Sequence, residues 1–263
     1  MARPRFFIEE DYRQEFALGA TLTIPSTSPV YRHAIKALRL ELNEQAELVF
    51  CNVWDVWLCT LISVDAQSLT FKFLEKMQVK SLPFESILAI GFSKGDTNER
   101  VVRQASELGV ARIIPVLFER SVSRPDHKRA RAKVERLRKV SLSASQQSHR
   151  ADLPIVEELK SFSEFTELIA DLSPELLLAA WEEEQEATLS DCLYDLPSTD
   201  ALRILTVIGP EGGISAGEMD VLRRAGAKSL SLGPTILRVD TAVVAALAVV
   251  HSTLSLQLQQ GEV

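Results

Sequence analysis

Two glycine-rich segments near the end of the chain hold the residues best suited to binding a ligand. The first reads V-I-G-P-E-G-G-I-S from Val207 to Ser215, and the second reads L-G-P-T-I-L-R-V-D-T-A from Leu232 to Ala242. Glycine lets a backbone turn tightly and approach a ligand closely, because it has no Cβ. Glycines and prolines also form ordinary strand-to-helix turns, and either loop alone fits both interpretations. Two such loops in one region favour a binding site.

The elements around these loops predict where the loops lie. Each loop follows an apolar β-type run, Ile204 to Ile208 and Ser229 to Leu232, and each leads into a helical pattern. Ser215 stands three residues before Glu218, which is the spacing of a capping box. Both loops should therefore lie at the carboxyl ends of neighbouring parallel strands, where α/β sheets bind ligands. Neither loop has the lysine of a Walker loop or a G-x-G-x-x-G fingerprint, so we expect a ligand that is not held by its phosphates.

The chain that carries these loops divides near Met77. Between Ala46 and Met77 three β-rich runs follow one another, A-E-L-V-F-C-N, V-W-L-C-T-L-I-S-V and S-L-T-F-K-F-L-E-K-M, which predicts a small antiparallel barrel. From Ile87 onward strand and helix patterns alternate, which predicts βαβ units and a parallel sheet. The segment from Ala242 to Leu258 reads as a nearly all-apolar helix, which indicates burial, in part against another subunit.

Composition narrows the class of protein. The chain has 263 residues, and its 46% hydrophobic content is enough to fill a core. No apolar run approaches the ~20 residues that span a bilayer, and no apolar signal-peptide core follows the first residues, so we expect a cytoplasmic protein with no membrane partner. The cysteines and histidines are Cys51, Cys59, Cys192, His33, His127, His149 and His251. They are too scattered for a disulfide framework or a metal site, and we expect no metal and no redox chemistry.

The positive charge is concentrated in one segment, although the net charge of the chain is −7. The cations of this segment are Arg124, Lys128, Arg129, Arg131, Lys133, Arg136, Arg138, Lys139 and Arg150. Apolar residues at 134, 137, 140 and 142 predict an amphipathic helix with the arginines on its outer face. Such a face can bind RNA phosphates or can simply be solvated, and both interpretations stay open.

Further motifs accompany the two loops. They are R-F-F from Arg5 to Phe7, H-x-x-x-A-L-R from His33 to Arg39, K-G-D from Lys94 to Asp96, S-E-L-G-V from Ser106 to Val110 and A-S-Q-Q-S-H-R from Ala144 to Arg150. Together they resemble, over almost the whole chain, the RsmE family, the uracil-N3 methyltransferases of 16S ribosomal RNA in the SPOUT class of knotted methyltransferases. Asp240 and Gln146 depart from the pattern, since each stands where the family usually has glutamate.

The resemblance implies an α/β fold in two domains. Residues 1–77 would form a PUA-like β-barrel that binds RNA. Residues 78–263 would form a SPOUT-type methyltransferase domain, a parallel sheet whose C-terminal helix passes through a loop as a trefoil knot. Two subunits would pair across that helix as a homodimer, and the partner would be 16S rRNA within the small ribosomal subunit.

The resemblance also implies that S-adenosylmethionine sits in the knot, cradled by three loops. The residues of these loops are Ala179, Ala180, Trp181, Ile208, Gly209, Pro210, Glu211, Gly212, Gly213, Leu232, Gly233, Ile236 and Leu237. The apolar members could form a flat slot for adenine, with adjacent peptide groups as donors and acceptors. Glu211 could balance the positive sulfonium, or it could fix its own loop by accepting backbone hydrogen bonds.

The implied reaction has uridine N3 attack the sulfonium methyl while negative charge spreads onto O2 and O4. Arg238 is the candidate for stabilising that charge, because a guanidinium is always charged and can fork hydrogen bonds. It could instead form a structural ion pair with Asp240 or Glu211. Asp240 is the nearest carboxylate for taking the N3 proton, and it could equally be the N-cap of the last helix.

The predicted RNA contacts combine motif residues with the basic segment. They are Arg5, His33, Arg39, Lys94, Arg124, Arg129 and Arg150. Phe6 and Phe7 could stack on a splayed base, although adjacent phenylalanines at a strand start are also typical of a core. Two other functions stay open, a SPOUT methyltransferase acting on another RNA position such as a ribose 2′-hydroxyl, and a non-catalytic rRNA-binding assembly factor.

Overall fold

The computed structural model describes residues 3–8, 16–51, 55–79, 81–193 and 202–260. The chain divides into two compact units. The first unit consists of Met1–Ser81 and Ser145–Leu153, and the second consists of Leu82–Ala144 and Pro154–Val263. The sequence predicts a boundary near Met77, with all later residues in the second domain. The structure instead places the short segment Ser145–Leu153 in the first unit.

The first unit contains a five-stranded sheet in the order β1-β3-β4-β5-β2. Its strands are β1 (Arg5–Ile8), β2 (Thr21–Pro25), β3 (Gln45–Phe50), β4 (Asp55–Val64) and β5 (Ser68–Lys76). The three consecutive antiparallel strands that the β-rich runs predict are present as β3, β4 and β5. The last residue of the first run, Asn52, lies outside the described residues. The sheet is mixed because β1 runs parallel to β3, and its closure into a PUA-like barrel stays a prediction.

Aromatic side chains fill the core of the first unit. Phe6 and Phe7 are both buried in β1, so their core interpretation holds and neither ring is available to stack on a base. A short helix α1 (Pro29–Arg32) continues into a π-helical turn (His33–Ala37). The half-buried His33 ring meets Phe6 edge to face, with the ring centroids 5.7 Å apart.

Arg5 explains why Ser145–Leu153 belongs to the first unit. Its Nε donates to Glu47 Oε2 at 2.8 Å, and its Nη1 donates to the carbonyl oxygens of His149 and Arg150. Both Arg5 and Glu47 are buried, so the pair forms in a medium where its charges are weakly screened. The chain around residue 150 is thereby fastened to β1 and β3.

The second unit is an α/β domain built on a seven-stranded sheet of parallel pairings, in the order β12-β10-β11-β6-β7-β8, with β9 also pairing with β7. Its strands are β6 (Glu85–Gly91), β7 (Arg112–Leu117), β8 (Ile155–Val156), β9 (Lys160–Ser161), β10 (Leu176–Ala180), β11 (Arg203–Ile208) and β12 (Lys228–Leu230). Its helices are α2 (Thr97–Glu107), α3 (His127–Gln147, whose last residues lie in the first unit), α4 (Phe162–Leu172), α5 (Leu189–Cys192), α6 (Ala216–Arg224) and α7 (Val239–Gln260). The predicted alternation of strands and helices is confirmed.

Helix α7 differs from its sequence prediction in two respects. It begins at Val239 rather than near Ala242, so Asp240 lies within its first turn and the N-cap alternative is wrong. By length and composition α7 is apolar enough to cross a membrane, so the expectation that no segment has that character is also wrong. The helix packs as a core helix, because Val243, Leu247 and Val250 are fully buried within the unit.

The sheet order brings the carboxyl ends of three strands together. β10 lies between β11 and β12, with Ala180 in register with both Ile208 and Leu230. Parallel strands end at the same edge of a sheet, so the loops that follow β10, β11 and β12 leave it side by side. The prediction that both glycine-rich loops lie at the carboxyl ends of parallel strands is confirmed, but the prediction that these strands are neighbours is wrong, because β10 lies between β11 and β12.

Candidate functional site

The three loops enclose a cavity of about 1070 Å³ in the second unit. We call them the β10 loop (residues 181–188), the β11 loop (residues 209–215) and the β12 loop (residues 231–238). All of the predicted cofactor residues line this cavity except Ala179, which is buried in the interior of β10. Arg238 and Asp240 line it as well, together with Thr97 and Arg100 of α2, which sequence reasoning did not select.

Close packing against neighbouring protein atoms shapes the β11 loop. A Cβ on Gly212 would lie 2.9 Å from both Cβ and the carbonyl oxygen of Arg120, and one on Gly209 would lie 2.8 Å from Ile214 Cγ1. Gly213 has a φ of +74°, and a Cβ there would collide with the Glu182 carboxylate. Neighbouring protein atoms crowd a Cβ at these three positions, which supports the interpretation of these glycines as residues of a tight strand-to-helix turn.

A capping box fixes the end of the β11 loop, as the sequence predicts. Ser215 accepts a hydrogen bond from the backbone of Glu218, and the Glu218 carboxylate accepts one in return from the Ser215 backbone at 3.1 Å. The second oxygen of Glu218 accepts from the backbone N–H of Glu119 at 2.7 Å. This buried carboxylate therefore joins the start of α6 to the segment after β7, and holds the loop from both sides.

The β10 loop is tied to both of its neighbours. The indole N–H of Trp181 donates to the carbonyl oxygen of Ile214 at 3.1 Å, and the Arg223 guanidinium lies 4.8 Å from the centre of the indole ring. Glu184 accepts a hydrogen bond from the Ser229 hydroxyl at 2.5 Å, which is the main reason that its pKa is lowered. The cavity wall formed by this loop is thus set before any ligand binds.

The β12 loop is held mainly at its first residue. The backbone N–H of Ser231 donates to the carbonyl oxygen of Ala187 at 2.8 Å. From Gly233 to Ile236 the loop is exposed, and Ile236 is 92% exposed although its side chain is apolar. A Cβ on Gly233, which has a φ of +119°, would meet nothing within 4 Å. This loop offers apolar surface and open space beside the cavity.

The structure supports neither of the two interpretations of Asp240. Asp240 Oδ2 accepts a hydrogen bond from Arg100 Nε at 2.9 Å. This pairing, followed by contributions from backbone N–H groups at the start of α7, holds the pKa of Asp240 below its usual range. A general base is most effective with a pKa near the working pH. The prediction that Asp240 takes the N3 proton is therefore not supported, because its carboxylate is already stabilised as an ion.

Arg238 has neither of the ion pairs that the sequence left open. Its side chain is exposed, and within the described part of the chain it forms no ion pair with Asp240, with Glu211 or with any other acid. The Glu211 carboxylate at the opposite loop likewise has no hydrogen-bond partner among the residues described, so its loop-fixing alternative has no contact to support it. Both charges face the cavity and remain available to a ligand.

Arg100 is the site residue that sequence reasoning missed. It forms an ion pair with Asp96 at 2.5 Å, and the spacing of four residues on a helix is the kind of signal that could have indicated this contact. No such signal exists for its contact with Asp240, because the two residues are 140 positions apart. Only the folded chain brings α2 and α7 together.

The predicted RNA contacts fall into two groups. Arg5 and Arg150 are buried, with Arg5 bound to Glu47 and Arg150 to Asp152, so we withdraw both as phosphate contacts. Arg124 is exposed but donates to the carbonyl oxygens of Phe118 and Glu119. The exposed Arg129 pairs with Asp126 at 3.4 Å, Arg39 and Lys94 are exposed, and His33 is half-buried. Nothing in the structure explains why Gln146 stands in place of glutamate.

The predicted amphipathic character of α3 is confirmed. Val134 and Leu137 are buried, whereas most of the cations lie on the exposed face. Arg136 pairs with Glu99, and Arg138 pairs with Glu135 and Glu158. Lys128, Arg131 and Lys139 are exposed and form no ion pair within the described ranges. These three cations were not selected from the sequence, where nothing distinguishes them from their paired neighbours.

A family model of the RNA methyltransferase domain matches residues 80–251, which is most of the chain. The fold and the three-loop cavity therefore belong to an RNA methyltransferase. The chain is 30% identical to the ribosomal RNA small subunit methyltransferase E of Bacillus subtilis, over 94% of this chain and 95% of that protein. It is also 30% identical to the protein of that name from Synechocystis, over 91% of this chain and 76% of the relative. The chain belongs to the ribosomal RNA small subunit methyltransferase E family.

The solved structures agree with this assignment. The ribosomal RNA small subunit methyltransferase E of Neisseria gonorrhoeae, whose structure was solved bound to S-adenosyl methionine, is similar to this chain with a TM-score of 0.80. The two chains are 25% identical, and the similarity covers 96% of this chain and 98% of that one. The likeness therefore includes both units.

Proposed function

We propose that the protein transfers a methyl group from S-adenosylmethionine to N3 of a uridine in 16S ribosomal RNA. The observation that carries the proposal is the cavity formed by the β10, β11 and β12 loops in a chain of this family. Its volume of about 1070 Å³ lies at the upper end of the range for small-molecule sites. It can take a nucleoside cofactor and leave room for a base to enter.

The residues that line the cavity fit this cofactor. Ile208 at the end of β11 and Leu232 and Leu237 of the β12 loop provide the apolar surface that an adenine ring needs, and the peptide groups beside them can bind its edge. Gly233 leaves open space where any other residue would place a Cβ. When bound, S-adenosylmethionine supplies an electrophilic methyl group on a positive sulfonium. Glu211, unpaired among the described residues, is the carboxylate that we assign to balancing that charge.

Arg238 is assigned to the charge that develops on the uracil. It leaves the β12 loop at the start of α7 and is exposed beside the cavity. A guanidinium there can donate to O2 or O4 as N3 loses its proton, which stabilises the transition state more than the ground state. The proposal assigns no proton to Asp240, because Arg100 holds that carboxylate in its charged form.

RNA binding is assigned to each unit separately. In the second unit, the unpaired cations Lys128, Arg131 and Lys139 of α3 are suited to bind phosphates without reading sequence. In the first unit, which we propose to be a PUA-like RNA-binding domain, Arg39 is an exposed cation at the end of the motif that runs from His33, and Lys36 within that motif is exposed as well. RNA affinity should fall steeply with salt, and it should fall less steeply after the three α3 cations are replaced by alanine.

The remaining features of the proposal follow the family resemblance. We propose a trefoil knot at the C-terminal helix and a homodimer that pairs across it. The exposed side of α7 supports the dimer, since it carries Val249 and Leu256, the latter 57% exposed. The substrate would be the small ribosomal subunit or its RNA in the cytoplasm.

Nucleoside analysis tests the reaction directly. Purified protein is incubated with methyl-labelled S-adenosylmethionine and either free 16S RNA or unmodified small subunits, and the digested RNA is examined by mass spectrometry. Labelled 3-methyluridine is the expected product. A label on another nucleoside or on a ribose would reassign the target within the same fold. No label, together with no cofactor binding in calorimetry, would favour a non-catalytic assembly factor.

A further inference from the structure

Two opposite charges stand close together at the start of α7. Arg238 and Asp240 are separated by one residue, and both line the cavity. Arg238 precedes the first residue of the helix, and its hydrogen bond with α7 is made by its carbonyl oxygen, which accepts from Ala242 N–H at 2.8 Å. Side chains two positions apart on a helix point in different directions, but Arg238 lies outside the helix, so this separation does not apply to it. The Asp240 carboxylate is therefore the acid nearest in sequence that could neutralise the Arg238 guanidinium.

Arg100 holds one oxygen of that carboxylate instead, whereas the other oxygen, Oδ1, is buried with no hydrogen-bond partner among the described residues. Its Nε donates to Asp240 Oδ2 at 2.9 Å, its Nη1 meets Asp96 at 2.5 Å, and its Nη2 donates to the Thr97 hydroxyl at 3.3 Å. These three contacts hold the guanidinium between the start of α2 and the start of α7. Asp96 is 75% exposed and Asp240 is 18% exposed, so solvent screens the contact with Asp240 far less. The pair with Asp240 is the one that determines where charge lies in the cavity.

We propose that Arg100 is a positioning residue, which holds the Asp240 carboxylate away from Arg238 and so leaves the Arg238 guanidinium free for the substrate. The inference rests on the proposed function, in which Arg238 stabilises charge on the uracil. Without Arg100, the half-buried Asp240 carboxylate has no cationic partner, an arrangement that is costly. The side chain of Arg238 is long, flexible and already beside the same cavity, and it becomes the available partner. The Arg238 guanidinium would then be paired with Asp240 and no longer available to the substrate.

A rescue experiment tests this assignment. Arg100→Ala is expected to lower kcat for methylation about tenfold or more, which corresponds to one lost charge contact in the transition state. The double variant Arg100→Ala with Asp240→Asn is expected to recover most of that loss, because the neutral amide no longer attracts Arg238. Arg100→Lys keeps a cation beside Asp240 and should stay near the parent activity. Asp96→Asn, which removes the other partner of Arg100, is the matched control and should leave kcat unchanged.

A second readout separates positioning from general damage to the fold. In a crystal structure of Arg100→Ala, the Arg238 guanidinium is expected within about 4 Å of the Asp240 carboxylate, the usual limit of an ion pair. Affinity for S-adenosylmethionine by calorimetry should be unchanged in the single and the double variants. A double variant as inactive as Arg100→Ala, or an Arg238 that stays unpaired in the crystal, would overturn the proposal.

The proposed function fails in a different way. If Arg238→Ala alone keeps full methylation activity, then Arg238 has no role in the reaction and the proposed function must assign the charge elsewhere. If Arg238→Ala is inactive while Arg100→Ala is fully active, the function stands and the positioning role of Arg100 is wrong. The two variants together therefore show whether the role of Arg238 in the reaction or the positioning role of Arg100 is wrong.

Discussion

The β11 and β12 loops both follow parallel strands and both contain glycine, yet the structure builds them differently. In the β11 loop a Cβ on Gly209, Gly212 or Gly213 would meet neighbouring protein atoms, although Glu211 and Gly212 are exposed. The β12 loop is exposed from Gly233 onward and presents the apolar Ile236 to solvent. From this comparison we expect the β11 loop to be the more rigid of the two and the β12 loop to gain contacts when a ligand binds. Replacing a glycine should therefore affect ligand binding more in the β11 loop than in the β12 loop.

The largest expected effect lies at the end of the open loop. Arg238→Ala should lower kcat by about 10²–10³-fold, since a group that stabilises developing charge contributes roughly 2.7–4 kcal/mol. Binding of S-adenosylmethionine should be nearly unchanged, because the guanidinium acts on the uracil rather than on the cofactor. Single-turnover methylation and calorimetry check the two statements, and a loss confined to cofactor affinity would contradict the assignment.

The next effect lies in the β11 loop. Gly213→Ala should reduce affinity for S-adenosylmethionine by about tenfold or more, because the left-handed φ costs of order 1–3 kcal/mol and the new methyl meets the Glu182 carboxylate. Gly217→Ala is the matched control in the same region, since a Cβ there meets nothing within 4 Å. It should keep the parent affinity and raise the free energy of unfolding by about 0.5–1 kcal/mol. Equal affinities in the two variants would show that the β11 loop is not rigid.

A smaller effect is expected from the same substitution in the open loop. Gly233 has a φ of +119°, and a Cβ there would meet no other atom within 4 Å. The free-energy cost of Gly233→Ala is therefore backbone strain alone. The exposed loop can relax part of that strain, and affinity for the cofactor should fall about threefold to tenfold, less than in Gly213→Ala. Calorimetry on both variants measures the difference, and an inverted order would contradict the expected difference between the β11 and β12 loops.

The smallest expected effect concerns pH. The pKa of Asp240 is lowered chiefly by Arg100, so the pair stabilises the fold above the ordinary aspartate pKa of about 3.9 and loses that contribution as pH falls through the folded pKa. Unfolding free energies measured between about pH 5 and pH 2.5 should therefore decline more steeply in the parent than in Asp240→Asn, which has no carboxylate at this position. Identical slopes would show that the ion pair does not form in solution.

The sequence predicts what depends on local pattern. Hydrophobic periodicity indicates the parallel strands and the helices, and the spacing of Ser215 and Glu218 predicts the capping box that the structure confirms. The order of apolar runs and glycines also places both loops at strand ends. These features are local because each depends on residues within one or two turns of each other.

The sequence does not predict contacts between distant charges. Arg5 is 42 residues from Glu47 and more than 140 from the carbonyl oxygens that it binds, so nothing in its neighbourhood shows that it is buried. Arg100 and Asp240 are likewise 140 residues apart. A charged residue looks the same in a sequence whether it faces water, RNA or another charge, which is why Arg5 and Arg150 were misassigned and Arg100 was missed.

A crystal structure with S-adenosylmethionine tests the central claim most directly. Our account predicts adenine between Ile208, Leu232 and Leu237, the β11 loop unchanged, and the β12 loop closed over the ligand so that Ile236 loses most of its 92% exposure. A ligand bound elsewhere on the second unit, or an adenine site reached only after the β11 loop rearranges, would contradict the account.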